Sequence, residues 1–138
     1  MPTIKTPKTK LIKQKVLIQA SPEEVYKALT NVKIHSEFTG GKATGLARKG
    51  CKFTAWDGYI IGKYLELEQG KRMLMEWRTT EFPEEHPSSV LEFTFKEKGK
   101  GTEIQLKQTG LPASQADSYK QGWIDYYWIP MKTYFETK

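Results

Sequence analysis

Val90-Leu91-Glu92-Phe93-Thr94-Phe95, a Gly99-Lys100-Gly101 turn, Thr102-Glu103-Ile104-Gln105-Leu106, and then Gly110-Leu111-Pro112 leading to Gly122-Trp123 decide how this chain folds. Apolar and polar residues alternate in both strands, so each strand buries one face. A strand pair that runs directly into a terminal helix lays that helix across the sheet. On the helix, Tyr119, Trp123, Tyr126, Tyr127 and Tyr134 follow helical spacing, opposite a wet stripe of Gln121, Asp125, Lys132 and Glu136. Trp128 and Ile124 lie beside that wet stripe. Pro130 predicts a kink, because its ring removes a helical donor and collides with the preceding turn.

Working outward, a first strand is expected over 11–19, with Ile12, Val16 and Ile18 on one face and Lys13 and Lys15 on the other. Ser21-Pro22-Glu23-Glu24 then reads as a helix start. The serine caps, the proline suits the first turn, and Glu24 can return the capping-box hydrogen bond. Asn31 can cap a second short helix over 32–38, which stops before Gly40-Gly41. Strands follow over 52–56 and 59–67, joined through Asp57-Gly58, and over 72–79, with Met73, Met75 and Trp77 on one face. A further short strand is expected near 44–47, and 81–87 reads as an acidic, proline-containing loop. Strands that cluster in sequence with helices at the ends make an α+β fold with an antiparallel sheet of about six strands.

A chain of 138 residues, 38% hydrophobic and 28% charged, suits one soluble domain with a sizeable core. No apolar run approaches the ~20 residues that span a bilayer. Single Cys51 excludes an internal disulfide, and together with the lack of a signal-type apolar run it points to the cytoplasm. The net charge of +6 comes largely from Lys5, Lys8, Lys10, Lys13 and Lys15, since no acid occurs in the first 22 residues. Residues 1–9 therefore read as a disordered basic arm, and 10–138 as one domain. The rest is almost neutral, which does not fit a nucleic-acid binder with its Lys and Arg on a folded face.

Catalytic and cofactor motifs are sparse. Gly41-Lys42, Gly62-Lys63, Gly70-Lys71 and Gly99-Lys100 lack the Ser or Thr that follows the lysine of a phosphate loop. His35, His86 and Cys51 are not spaced as metal ligands. His35 reads as a surface or capping residue, His86 as a solvated loop residue, and Cys51 as a small buried hydrophobe. No acid–base pair or nucleophile–base set is visible, so neither a cofactor nor catalysis is expected.

Ser21-Pro22-Glu23-Glu24-Val25-Tyr26, Trp56-Asp57-Gly58 with Gly62, Met75-Glu76-Trp77-Arg78, Thr102-Glu103-Ile104 and Gln121-Gly122-Trp123 with Tyr126-Tyr127 occur in that order. With these residues the chain resembles the activator of heat shock protein 90 ATPase homologue family, in the form of the co-chaperone's C-terminal domain. The likeness covers about 10–135. It implies the helix-grip fold of START-like, polyketide-cyclase-like and birch-pollen-allergen-like proteins, a curved sheet wrapped around a long C-terminal helix over an apolar cavity. The two short helices already read after the first strand fit that fold, and the chain is expected to be a single-domain member without the co-chaperone's N-terminal domain.

Two functions follow as expectations. In the first, a hydrophobic small molecule sits between sheet and helix, lined by Phe53, Trp56, Tyr64, Met75, Trp77, Phe93, Phe95, Trp123, Tyr126, Tyr127 and Met131. An aromatic pocket with few polar tips is the usual small-molecule site. In the second, Arg78, an exposed Trp128, Lys13 and Lys15 meet a heat shock protein 90 type chaperone. A cyclase- or hydrolase-like enzyme of the same superfamily ranks third.

Overall fold

Residues 8–136 are described in the computed structural model. Strand β1 (Thr9–Ile18) starts ahead of the expected span, so Thr9 belongs to the sheet and not to a basic arm. The remainder of that expected arm, residues 1–7, lies outside the described residues. Helix α1 (Pro22–Thr30) is capped as its sequence requires, with Ser21 Oγ accepting from the Glu24 N–H at 3.2 Å. The Glu24 carboxylate takes the Ser21 hydroxyl at 3.1 Å, so the capping box closes side chain to side chain. Asn31 ends α1 through its own N–H and caps α2 (Val32–Thr39) by accepting from the N–H groups of Lys33 and Ile34, both at 3.1 Å.

The remaining strands are β2 (Thr44–Gly45), β3 (Lys52–Ala55), β4 (Ile60–Glu68), β5 (Arg72–Thr79), β6 (Ser89–Lys98) and β7 (Gly101–Pro112). All seven form one antiparallel sheet in the order β1-β7-β6-β5-β4-β3-β2. The first strand thus pairs with the last, which brings the C-terminal helix back beside its start. Register shifts between Lys10 and Ile12 and between Tyr64 and Glu66 are bulges, and bulges bend and twist a strand. The inner face carries Ile12, Ile18, Tyr64, Met73, Met75, Trp77, Leu91, Phe93, Phe95, Ile104 and Leu106, all buried.

The C-terminal helix crosses this inner face as α3 (Ala116–Trp123), a π-helical turn (Ile124–Trp128) and α4 (Ile129–Glu136) in unbroken succession. The disturbance expected at Pro130 is therefore a π turn just ahead of the proline. The Ile129 N–H reaches back to Ile124 O, and Pro130 has no N–H to continue an α ladder. One extra residue in the turn sets everything beyond it back by about 100°, the angle of one α-helical residue. That shift turns Trp128 into the core at 3% exposure, where Trp123 Nε1, Tyr127 and Met131 also face inward. Trp128 is thus not the exposed partner-facing residue expected from straight helical spacing. Its indole N–H donates to Gln14 Oε1 on β1 at 2.9 Å, and Gln14 Nε2 donates to Lys120 O at 2.6 Å. No helix among the described residues is long and apolar enough to cross a membrane.

Candidate functional site

Between the β3–β4 turn, the loop after β5 and the outer flank of α3 lies an open groove of about 1100 Å³. Its walls include Trp56, Tyr59, Trp77, Tyr119, Trp123, Tyr126 and Tyr127, with Glu81, Gln115 and Asp125 among the polar groups. Trp56 reaches it through an unusual backbone. Both Trp56 (φ 53°) and Asp57 (φ 57°) are left-handed, a costly conformation for a bulky side chain. The hairpin connection accordingly runs over 56–59, wider than the two residues Asp57-Gly58 suggest, because the last paired residues are Ala55 and Ile60.

Several contacts hold that conformation. Asp57 N–H donates to Lys42 O at 3.0 Å, and Asp57 Oδ1 accepts from the Lys42 N–H at 3.3 Å. A Cβ on Gly41 would stand 2.7 Å from Trp56 Cε3, so only glycine lets the indole lie there. The ring then meets Tyr126 and Tyr127 edge to face, at 5.7 and 6.3 Å between centroids. Tyr126 is 59% exposed, which makes it the aromatic rim of the groove rather than a core residue.

At the other end the groove rests on a hydrogen-bonded polar chain. Tyr59 OH donates to Glu81 Oε2 at 2.5 Å, Gln115 Nε2 donates to Glu81 O at 2.8 Å, and Tyr119 OH donates to Gln115 Oε1 at 2.6 Å. Burial, followed by the Glu81 carboxylate, pushes the Tyr59 hydroxyl well above the ordinary tyrosine range. The loop that supplies Glu81 is pinned to the fold through buried Phe82 and His86, while its acidic side chains stay exposed. Arg78 Nη1 and Nη2 donate to His86 O at 2.8 Å and Pro83 O at 3.2 Å, and the guanidinium sits 5.3 Å from the centre of the buried Phe82 ring. His86 is buried too, with Nε2 donating to Gly110 O at 2.9 Å, which corrects its expected place in solvent. Arg78 is thereby a clamp on this loop.

The space between sheet and helix is different in kind. It amounts to about 30 Å³, lined by Phe53, Tyr64, Met75, Trp77, Phe93, Trp123 and Tyr127 among others. That is room for a few waters at most, so the expected lining residues occupy most of this space themselves. Phe95 packs on Tyr26 at 6.0 Å and Met131 is fully buried; neither lines this space or the groove.

His35 also faces inward and is neither a surface nor a capping residue. Its Nε2 is 2.9 Å from Tyr127 OH, and its ring stacks on Phe38 at 5.5 Å. Burial lowers the His35 pKa to about 4 and pushes Tyr127 up, so both are neutral near pH 7. Cys51 is a free thiol of intermediate exposure, not a buried hydrophobe. Lys13 and Lys15 stand on the outer face of β1, with Lys107 directly opposite Lys13 on β7. Among the described residues no group of three or more His, Cys, Asp or Glu could hold a metal ion.

Reasoning from sequence missed a buried polar relay. Trp123 Nε1 donates to Gln108 Oε1 at 2.9 Å, Gln108 Nε2 to Ser89 Oγ at 3.1 Å, and Ser89 Oγ to Trp77 O at 2.7 Å. The signal was present: Gln108 is in phase with Ile104 and Leu106, which places an amide on the core face.

A curved antiparallel sheet gripping a C-terminal helix, with two short helices after the first strand, is the helix-grip fold. The same fold appears in the crystal structure of Ara h 8.0201, with a TM-score of 0.73 over 95% of this chain and all of that one at 11% identity. An HSP90 activator from Plasmodium falciparum superposes with a TM-score of 0.84 over 91% of this chain and 96% of that chain, at 18% identity. The family model described as Activator of Hsp90 ATPase homolog 1-like protein matches residues 19–136, and this chain belongs to that family. Activator of 90 kDa heat shock protein ATPase homolog 1 from Homo sapiens is 33% identical over 132 residues, 96% of this chain. The chain spans 38% of the length of that relative.

Proposed function

We propose that this chain is a non-catalytic interaction module that engages an Hsp90-type chaperone, with the open aromatic groove as its working surface. The observation that carries this is the contrast between the two spaces. The interior leaves only about 30 Å³, whereas the groove offers about 1100 Å³ beside an exposed Tyr126. Exposed aromatics held in fixed positions are what protein interfaces favour. The names of the relatives support this kind of partner, and a cytoplasmic location goes with that reading. A non-catalytic role is supported by the His35–Tyr127 pair, which is neutral and faces a void too small for a substrate.

The test is ATP hydrolysis and co-sedimentation of an Hsp90-type chaperone with the full chain, next to its Tyr126→Ala variant. A change in hydrolysis that the variant weakens supports the reading. If the chaperone neither binds nor changes rate, the reading is wrong. The second reading, a hydrophobic small molecule between sheet and helix, draws on the aromatic lining of the interior space. It requires Trp123 and Tyr127 to move apart, and native mass spectrometry of the protein from its own host would reveal a retained ligand.

A further inference from the structure

We infer that the groove receives an extended peptide segment carrying two basic side chains about four residues apart around an apolar one. This rests on the reading that the groove is the working surface, and it names the chemistry of what binds there. Although the chain has a net charge of +6, no lysine, arginine or histidine lines the groove among the described residues. The charged groups that do line it are Glu81 and Asp125. Glu81 Oε2 accepts from Tyr59 and Asp125 Oδ1 accepts from Gln121 at 3.0 Å, so each carboxylate keeps a second oxygen for a ligand. Aromatic faces between two carboxylates favour cations over anions or neutral groups.

Length selects a peptide over a small cation. From Gln115 to Tyr127 the helix flank runs about 18 Å at ~1.5 Å per residue, room for five or six extended residues at ~3.3 Å each. The Glu81 main-chain carbonyl is tied to Gln115, ten residues before Asp125, so the two acidic residues are on the order of 15 Å apart along the helix axis. In an extended chain, residues four apart point to the same side and span about 13 Å. An apolar residue between them would meet Tyr119 and Trp123, with Trp56 and Tyr126 at the Asp125 end.

The experiment uses fluorescein-labelled eight-residue peptides and anisotropy, with no chaperone present. The lysine peptide has Lys at positions two and six and Leu at position four, and its control has Gln in place of Lys. Exposed ion pairs support about a tenfold preference for the lysine peptide from two contacts, fading as salt rises. Glu81→Gln combined with Asp125→Asn should abolish that preference, and Tyr126→Ala should weaken both peptides; circular dichroism confirms that each variant is folded. Equal binding of the two peptides, or no binding of either, overturns the inference. So does displacement by free benzyltrimethylammonium at concentrations matching the peptide, which would mark a small-cation site. Peptide preference without any effect on a chaperone would sink the chaperone reading alone, and chaperone engagement without peptide preference would sink this one alone.

Discussion

At Gly62 an added Cβ would stand 2.2 Å from Phe53 Cζ and 2.4 Å from Glu76 O, a carbonyl locked into the β4–β5 ladder. At Gly58 the same atom meets nothing within 4 Å, and the difficulty is the φ of 90° alone. Gly62→Ala should therefore cost about 3 kcal/mol from overpacking, and Gly58→Ala about 1 kcal/mol from backbone strain. Urea denaturation midpoints check the ranking, which fails if the two variants are equal. Gln108→Leu is a second case, since it leaves the Trp123 indole N–H buried without its acceptor. A loss of about 1–3 kcal/mol is expected. Single residues were legible where one local rule governed them, as with Ser21, Asn31 and the inner-face apolar residues of β5 and β6. Gln108, His35 and His86 were not, because each is placed by a partner 15 to 92 positions away along the chain.

Element by element, the strands and the two short helices could be read because alternation and capping are local. The C-terminal helix was read as one α period, and there the period breaks. A straight α-helix sets Trp128 about 140° from Trp123, whereas the π turn returns it to the face that packs on Phe93, with ring centroids 5.9 Å apart. The two readings give opposite expectations for neighbouring side chains. With the π turn, Trp128→Ala should cost about 3–5 kcal/mol, as a buried tryptophan does. Tyr126→Ala should change stability by under about 1 kcal/mol, because Tyr126 is on the rim. A pair of thermal unfolding curves decides, and similar losses at the two positions would contradict the π register.

For the molecule as a whole, the least visible feature in the sequence is a half-buried neutral histidine at the junction of α2 and the C-terminal helix. The folded pKa of His35 is about 4, lowered by burial, against an ordinary value of 6.5. Between those values the unfolded chain binds a proton that the folded chain excludes. The contribution is therefore fully present above pH 6.5, declines as pH falls toward 4, and is constant below that. A displacement of this size corresponds to a few kcal/mol, on the order of 2–3 when some relaxation around the ring is allowed. Carboxylates add their own acid sensitivity at lower pH, so the informative comparison is a difference between two proteins. Denaturant unfolding of the parent and of His35→Gln, from pH 7.5 down to 4, should give converging stabilities as pH falls, because glutamine can keep a hydrogen bond to Tyr127 but takes up no proton. Parallel curves across that window would show that His35 titrates alike in both states and that its ring is open to water.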